Sequence, residues 1–73
     1  MDRTRQFIHL AEAERHVAAS LRHIARQEAL IITLERRGDD MTLAQSVLAT
    51  FVQSLNLHEG HLAQIRDELA RDG

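Results

Sequence analysis

The chain has 73 residues, a formal net charge of −2 and no cysteine, which limits it to one small domain and excludes disulfides and thiolate metal sites. Its nine basic residues, all arginine, face eleven acidic residues, a balance that excludes a nucleic-acid-binding surface recognisable by charge alone. No apolar run approaches the roughly 20 residues that span a bilayer, and no secretory signal follows the N-terminal arginines. We therefore expect a cytoplasmic protein without a nucleic-acid or membrane partner.

The first predicted element is a long helix over about residues 5–36, because apolar residues recur there every seven positions. The core positions that this repeat predicts are Leu10, Val17, Ile24 and Ile31. The positions three further along are more polar, since they include Ser20 and Gln27. The apolar stripe is widened by Phe7, Ala11, Ala18, Leu21, Ala25 and Ile32. A stripe this wide can face more than one neighbour, and Asp2 or Thr4 can cap the start of the helix.

The chain is predicted to turn over residues 38–41. Gly38 follows two arginines, which complement the helix dipole in a last turn, and glycine suits the left-handed conformation that ends many helices. Thr42 and Gln45 have the spacing of a capping box, which predicts a second helix that begins at residue 42. A turn this short forces two long helices to lie antiparallel.

The second predicted helix covers about residues 42–71 and carries the more regular apolar pattern, in alternating steps of four and three. The core positions that it predicts are Ala44, Leu48, Phe51, Leu55, His58, Leu62, Ile65 and Leu69. His58 is the one polar residue at a position where the pattern requires a core residue.

The predicted fold is all-α, an antiparallel two-helix hairpin that forms a single domain over residues 1–73. Each helix is about 45 Å long, and each buries only one strip against the other. Chains shorter than about 70–80 residues rarely reach adequate stability without an additional constraint. With no disulfide available, we expect two hairpins to associate into a four-helix bundle, as a homodimer.

Five histidines form a second pattern. His9, His16 and His23 are spaced seven apart on one face of the first helix, and His61 follows His58 by one turn. A hairpin centred near residue 39 places opposite each other residues whose numbers sum to about 78. We therefore expect four histidines to converge in the middle of the hairpin: His16, His23, His58 and His61.

Two interpretations of these histidines stay open. In the first, they are half-solvated boundary residues, and His58 is a buried polar residue that fixes register and oligomeric state. In the second, neutral imidazoles bind a transition metal or haem inside the bundle, with Glu12 or Glu59 as a further ligand or an orienting group. The candidate ligands are then His16, His23, His58 and His61. We favour the first interpretation, without a cofactor, because no tight motif such as His-x-x-x-His is present.

Other activities have less support in the residues. His58 and Glu59 resemble the His-acid pair of the sensor-kinase H-box, but the residues that follow differ from that motif. No Gly-rich phosphate loop or nucleophile elbow is present, so we expect no enzyme. A DNA-binding regulator or antitoxin is disfavoured by the second half of the chain, which holds two arginines against six acidic residues.

Five stretches carry a family resemblance: residues 11–17 (AEAERHV), 22–27 (RHIARQ), 34–39 (LERRGD), 48–51 (LATF) and the pair Leu57-His58. In these stretches the chain resembles a family of short helical-hairpin proteins from rhizobia and other alphaproteobacteria. The resemblance implies an intact small cytoplasmic protein and supplies no activity, ligand or catalytic residue.

The leading functional hypothesis is therefore a non-enzymatic, self-associating hairpin that acts as a protein–protein interaction module. Its outer faces are available for an unidentified protein partner. The alternative hypothesis is a metal- or haem-binding four-helix bundle that uses the histidine cluster.

Overall fold

The computed structural model describes residues 3–72, which form two helices, α1 (Arg3–Arg37) and α2 (Thr42–Asp72). The two helices pack against each other and no strand occurs in this range, so the all-helical hairpin is confirmed. α1 begins two residues earlier than the predicted start, which places Thr4 inside the helix rather than at its cap. Asp2, the other predicted cap, lies outside the described residues. Within the described range, neither helix is long and apolar enough to cross a membrane.

The end of α1 follows the predicted chemistry. Gly38 adopts a φ of 75°, so the expected left-handed glycine is confirmed. The Gly38 N–H donates to the Glu35 carbonyl over 3.1 Å, and the Asp39 N–H donates to the Leu34 carbonyl over 2.9 Å. This pair of hydrogen bonds is the Schellman motif, which satisfies two carbonyls left free at the end of a helix.

The start of α2 differs from the predicted capping box. The first helical hydrogen bond runs from Gln45 N to Met41 O over 2.8 Å, which makes Met41 the cap position. The Asp40 carboxylate accepts hydrogen bonds from Thr42 N over 3.0 Å and from Thr42 Oγ1 over 2.8 Å. The prediction that Thr42 caps the helix with Gln45 is therefore wrong, because Asp40 already engages the Thr42 hydroxyl. These bonds, the backbone one foremost, hold the pKa of the Asp40 carboxyl below its ordinary value.

The main hydrophobic cluster is narrow and lies away from the turn, while Ala44 is buried singly in the first turn of α2. One cluster contains Ala13, Leu62, Ile65 and Leu69, with Leu10 and Val17 packed against it. The predicted core positions that are only partly buried are Leu10, Val17, Ile24, Ile31, Leu48, Phe51, Leu55 and His58. Among the described residues no large side chain is fully buried. The molecule is a rod of 57 × 14 × 13 Å, with a radius of gyration of 16.7 Å, against about 11 Å for a compact domain of this length.

The register between the helices differs from the predicted one. His16 lies against His58 and His23 lies beside Phe51, so the residue numbers of each pair sum to 74 rather than about 78. The prediction that His16 lies level with Leu62 is therefore wrong by about one helical turn. Four residues, 38–41, belong to neither helix, and a non-helical residue can advance the chain by about 3.3 Å against 1.5 Å in a helix. Such a connection carries the chain about one turn further back along α1 than helical residues would.

Candidate functional site

One side of the hairpin carries a groove between the helices, which we call the histidine groove. On α1 it contains three histidines at a spacing of seven, which keeps them on one face because two helical turns take about seven residues. On α2 it contains two histidines one turn apart and a serine one turn before them. Its polar side chains are His9, Glu12, His16, Ser20, His23, Ser54, His58 and His61.

Two ring contacts cross the groove. The His16 and His58 imidazoles stack with their centroids 5.2 Å apart and their planes inclined by 8°. The His23 ring lies 5.7 Å from the Phe51 ring, inclined by 36°. His58 is partly buried at the seam, whereas the other histidines are exposed. The rings therefore join the two helices at two successive levels.

The stacked pair separates two hollows. The first, of about 390 Å³, lies on the side away from the turn and is lined by His9, Glu12, Ala13, His16, His58 and His61. The second, of about 280 Å³, lies nearer the turn and is lined by His16, Ala19, Ser20, His23, Phe51, Ser54 and His58. The first hollow is thus the one with four imidazoles and one carboxylate.

The predicted histidine set is only partly brought together. His16, His58 and His61 line the first hollow, but His23 lies in the second. His9 also lines the first hollow and was not among the predicted candidates, whereas Glu12, which lies beside it, was predicted as a further ligand or an orienting group. The signal was present in their spacing, because Glu12 lies three residues after His9 and four before His16, on the same side of α1. The predicted register concealed the proximity of His9 to the other histidines, because that register placed His9 one turn further from His61 than the structure does.

Among residues 3–72, no group of three or more His, Cys, Asp or Glu side chains is placed to hold a metal ion. The geometry of the stack gives a reason. The lone pair of an imidazole nitrogen lies in the plane of its ring, so two nearly parallel rings direct their lone pairs into separate planes. His16 and His58 can share an ion only if one ring rotates out of the stack.

A third hollow lies beside the turn and is mainly apolar. It has a volume of about 380 Å³ and is lined by Gln27, Leu30, Leu34, Asp40, Leu43, Ala44 and Val47. Gln27 Nε2 donates to the Ala44 carbonyl over 2.9 Å at its base, which ties α1 to the first turn of α2. Leu43 is 78% exposed.

Comparison of the chain with protein-family models, with curated proteins and with solved structures gave no match.

Proposed function

We propose that this protein is a non-enzymatic helical hairpin that self-associates and acts as a protein–protein interaction module. Its basic unit would be a homodimer in which two hairpins form a four-helix bundle. The observation that carries the proposal is the amount of apolar surface that one hairpin leaves in water.

That surface is large relative to the core. The buried apolar residues are all small or lie in a single strip: Ala13, Ala44, Leu62, Ile65 and Leu69. Large apolar side chains between 40% and 78% exposed are Phe7, Ile8, Leu21, Leu30, Ile32, Leu43, Val52 and Leu57. More large apolar side chains thus face water than are buried, which is typical of surfaces that associate.

The total solvent-accessible surface area of one hairpin also supports association. The hairpin exposes 5570 Å², whereas a compact monomer of this mass exposes about 4,600 Å². The excess of about 1,000 Å² matches the area that one partner contributes to a stable interface, about 800 Å². One further hairpin is therefore enough to cover it.

Polar contacts do not supply the missing stability. The ion pairs Arg37–Asp39, Arg66–Glu14 and Arg71–Asp67 have distances of 3.3, 3.5 and 2.7 Å, and their side chains are between 44% and 75% exposed. Exposed pairs of this kind contribute about 0–1 kcal/mol each. Burial of apolar surface by a second chain is the larger source of free energy available.

The test is sedimentation equilibrium of the untagged protein across a wide range of concentration, with circular dichroism on the same samples. We expect the mass of two chains at high concentration and a loss of helix as the dimer dissociates on dilution. A fully helical single chain that persists at every concentration would refute self-association.

A second candidate function is binding of a divalent transition-metal ion in the first hollow. It is supported by the convergence of His9, His16, His58, His61 and Glu12 there, because imidazole and carboxylate are ligands of such ions. The exposed rings would have to rotate, and rotation of exposed side chains is fast.

Thermal unfolding of untagged protein with and without Zn²⁺ or Ni²⁺ tests this candidate. A bound ion raises the melting temperature, and His61→Ala would abolish the increase while His23→Ala, outside the first hollow, would retain it. An unchanged melting temperature in the unsubstituted protein, or equal increases in both variants, would eliminate the candidate.

A further inference from the structure

A second apolar ladder on the outside of α1 identifies the face that self-associates. We infer that two copies of this chain pair through this ladder, with their α1 helices antiparallel. The inference rests on the proposed self-association and adds the surface and the orientation. The residues of the ladder, which we call the outer ladder, are Phe7, Ala11, Glu14, Ala18, Leu21, Ala25, Glu28 and Ile32.

The outer ladder has the spacing of a helix-packing seam. Its steps alternate between four and three residues, which keeps a stripe facing one neighbour along the whole helix. Six of its eight members are apolar. α2 leaves most of its apolar surface open, since Phe7 is 53%, Leu21 52% and Ile32 49% exposed; Ala11 is partly buried, and the Arg66 side chain of α2 contacts Glu14 at the edge. α1 thus carries two seams, and within residues 3–72 only one of them packs along its length against another helix.

The length and the surroundings of the outer ladder suit a second copy. It extends for about 38 Å, most of the length of α1. Val52 of α2, 40% exposed, lies level with Leu21 in the observed register and extends the apolar surface at its centre. The excess area of about 1,000 Å² exposed by one hairpin is what each partner of a dimer would bury here.

The order of side chains selects the antiparallel arrangement. If two copies cross between Ala18 and Leu21, the residues that meet have numbers that sum to about 39. Phe7 then meets Ile32 at both ends, and Ala18 meets Leu21 on both sides of the centre. Large side chains pack against large ones at the ends, and small against large in the middle, so the ladder fills without a void.

The two glutamates point to the same arrangement. Antiparallel pairing sets Glu14 opposite Ala25 of the second copy, one turn from Arg22 of the second copy. It also sets Glu28 opposite Ala11 of the second copy, one turn from Arg15 of the second copy. Parallel pairing would instead place Glu14 against Glu14 and Glu28 against Glu28 of the second copy. Like charges at an interface disfavour association.

The opposite side of the hairpin lacks such a ladder. The corresponding positions of α1 there include His9, Glu12, His16, His23 and Arg26, so the stripe is largely polar. Leu57 of α2 is 76% exposed on that side and makes a matched control, because it is an exposed leucine outside the proposed interface.

The experiment compares Leu21→Glu and Leu57→Glu with the unsubstituted protein by sedimentation equilibrium. The two-fold arrangement places Leu21 twice near the centre of the interface, so we expect Leu21→Glu to weaken dimerisation by at least about tenfold in Kd. Leu57→Glu should leave the Kd within about twofold. If Leu21→Glu loses helix under dimerising conditions, Ala18→Lys, at an exposed helical position, provides the same test.

Orientation is tested by cross-linking, because the natural chain has no cysteine. Chains carrying Phe7→Cys and chains carrying Ile32→Cys are oxidised separately and as a mixture. Antiparallel pairing predicts disulfide dimers in the mixture and few in either separate sample, since a disulfide needs Cα atoms within about 7 Å.

The outcomes separate the inference from the proposed function. An unsubstituted protein that is monomeric throughout refutes both. A dimer that survives Leu21→Glu and dissociates with Leu57→Glu places the interface on the other face and leaves self-association standing. Efficient disulfide formation by Phe7→Cys alone refutes the antiparallel orientation.

Discussion

The imidazole rings of His16 and His58 lie face to face across the hairpin, 8° from parallel and 5.2 Å apart at their centroids. Both helices contribute a ring, so the stack is a direct contact between α1 and α2 at the partly buried seam residue His58. Stacked aromatic rings at such a distance attract each other by about 0.5–1.5 kcal/mol beyond the area that they bury.

We therefore predict that the stack stabilises the hairpin through ring packing. His16→Ala should lower the free energy of unfolding by about 0.5–1.5 kcal/mol, and His16→Phe should retain most of the stability, because it keeps a ring against His58. His9→Ala removes a histidine that is outside the stack and should change the free energy of unfolding by less than about 0.5 kcal/mol. Urea unfolding at fixed pH and protein concentration measures all three variants, and equal losses in His16→Ala and His9→Ala would show that the stack contributes no stability.

Two glycines give predictions of opposite sign. Gly38 has a φ of 75° and Gly60 is helical, and a Cβ added at either meets nothing within 4 Å. Gly38→Ala should cost about 1–2 kcal/mol of unfolding free energy, since alanine is strained in the left-handed region. Gly60→Ala should add up to about 1 kcal/mol, because glycine is a poor residue for a helix interior. Thermal melts at one protein concentration measure both, and a shared sign would contradict the backbone argument.

Asp40 makes the stability of the hairpin depend on pH in the acidic range. Its pKa is lowered in the folded chain by the Thr42 hydrogen bonds, so the unfolded chain holds its proton more tightly. The stabilisation is present above the ordinary pKa and is lost as pH falls through the lowered folded pKa. Asp40→Asn removes the ionisation but can still accept the hydrogen bond. The urea midpoint of the variant should therefore fall less below about pH 4 than that of the unsubstituted protein, and parallel curves would contradict the assignment.

The narrow core predicts a large loss of unfolding free energy when a buried side chain is truncated to alanine, and almost none when an exposed side chain of the same size is truncated. Ile65 is 6% exposed and Leu57 is 76% exposed. Ile65→Ala should cost about 2–3 kcal/mol, at the low end of the range for core positions because the strip is thin. Leu57→Ala should change the unfolding free energy by less than about 0.5 kcal/mol. Denaturant unfolding at fixed protein concentration checks both, and a comparable loss in Leu57→Ala would show that this face is also packed.

The sequence predicts those features that depend on neighbours along the chain. The left-handed Gly38 and the apolar repeat at Leu62, Ile65 and Leu69 depend on local chemistry, and they lead directly to two helices that fold back on each other. The choice of Asp40 over Thr42 as the polar partner at the start of α2 depends on the path of the connection, which short-range spacing does not determine.

The register between the two helices also depends on the path of the connection, and the register decides which residues line each hollow of the groove. The non-helical rise of the four-residue connection moves every opposing pair by about one turn, so His9 lines the first hollow and His23 lies outside it. The width of the apolar stripe on α1 was readable from Ala11, Ala18, Ala25 and Ile32. Which part of that stripe stays uncovered became visible only with α2 in place.

The position of the core cluster has a consequence for how the hairpin opens. Ala13 and Leu62 lie in the half of the hairpin away from the turn, about ten residues from the outer end of each helix, and along the chain they are joined through the turn. Their contact closes a long loop, which is entropically costly. The turn alone therefore does not hold the two helices in contact along their length. Amide hydrogen exchange should accordingly be slowest around Ala13, Leu62 and Ile65 and faster toward the turn. Trimming the last two turns of α2 would then separate the whole pair rather than shorten it.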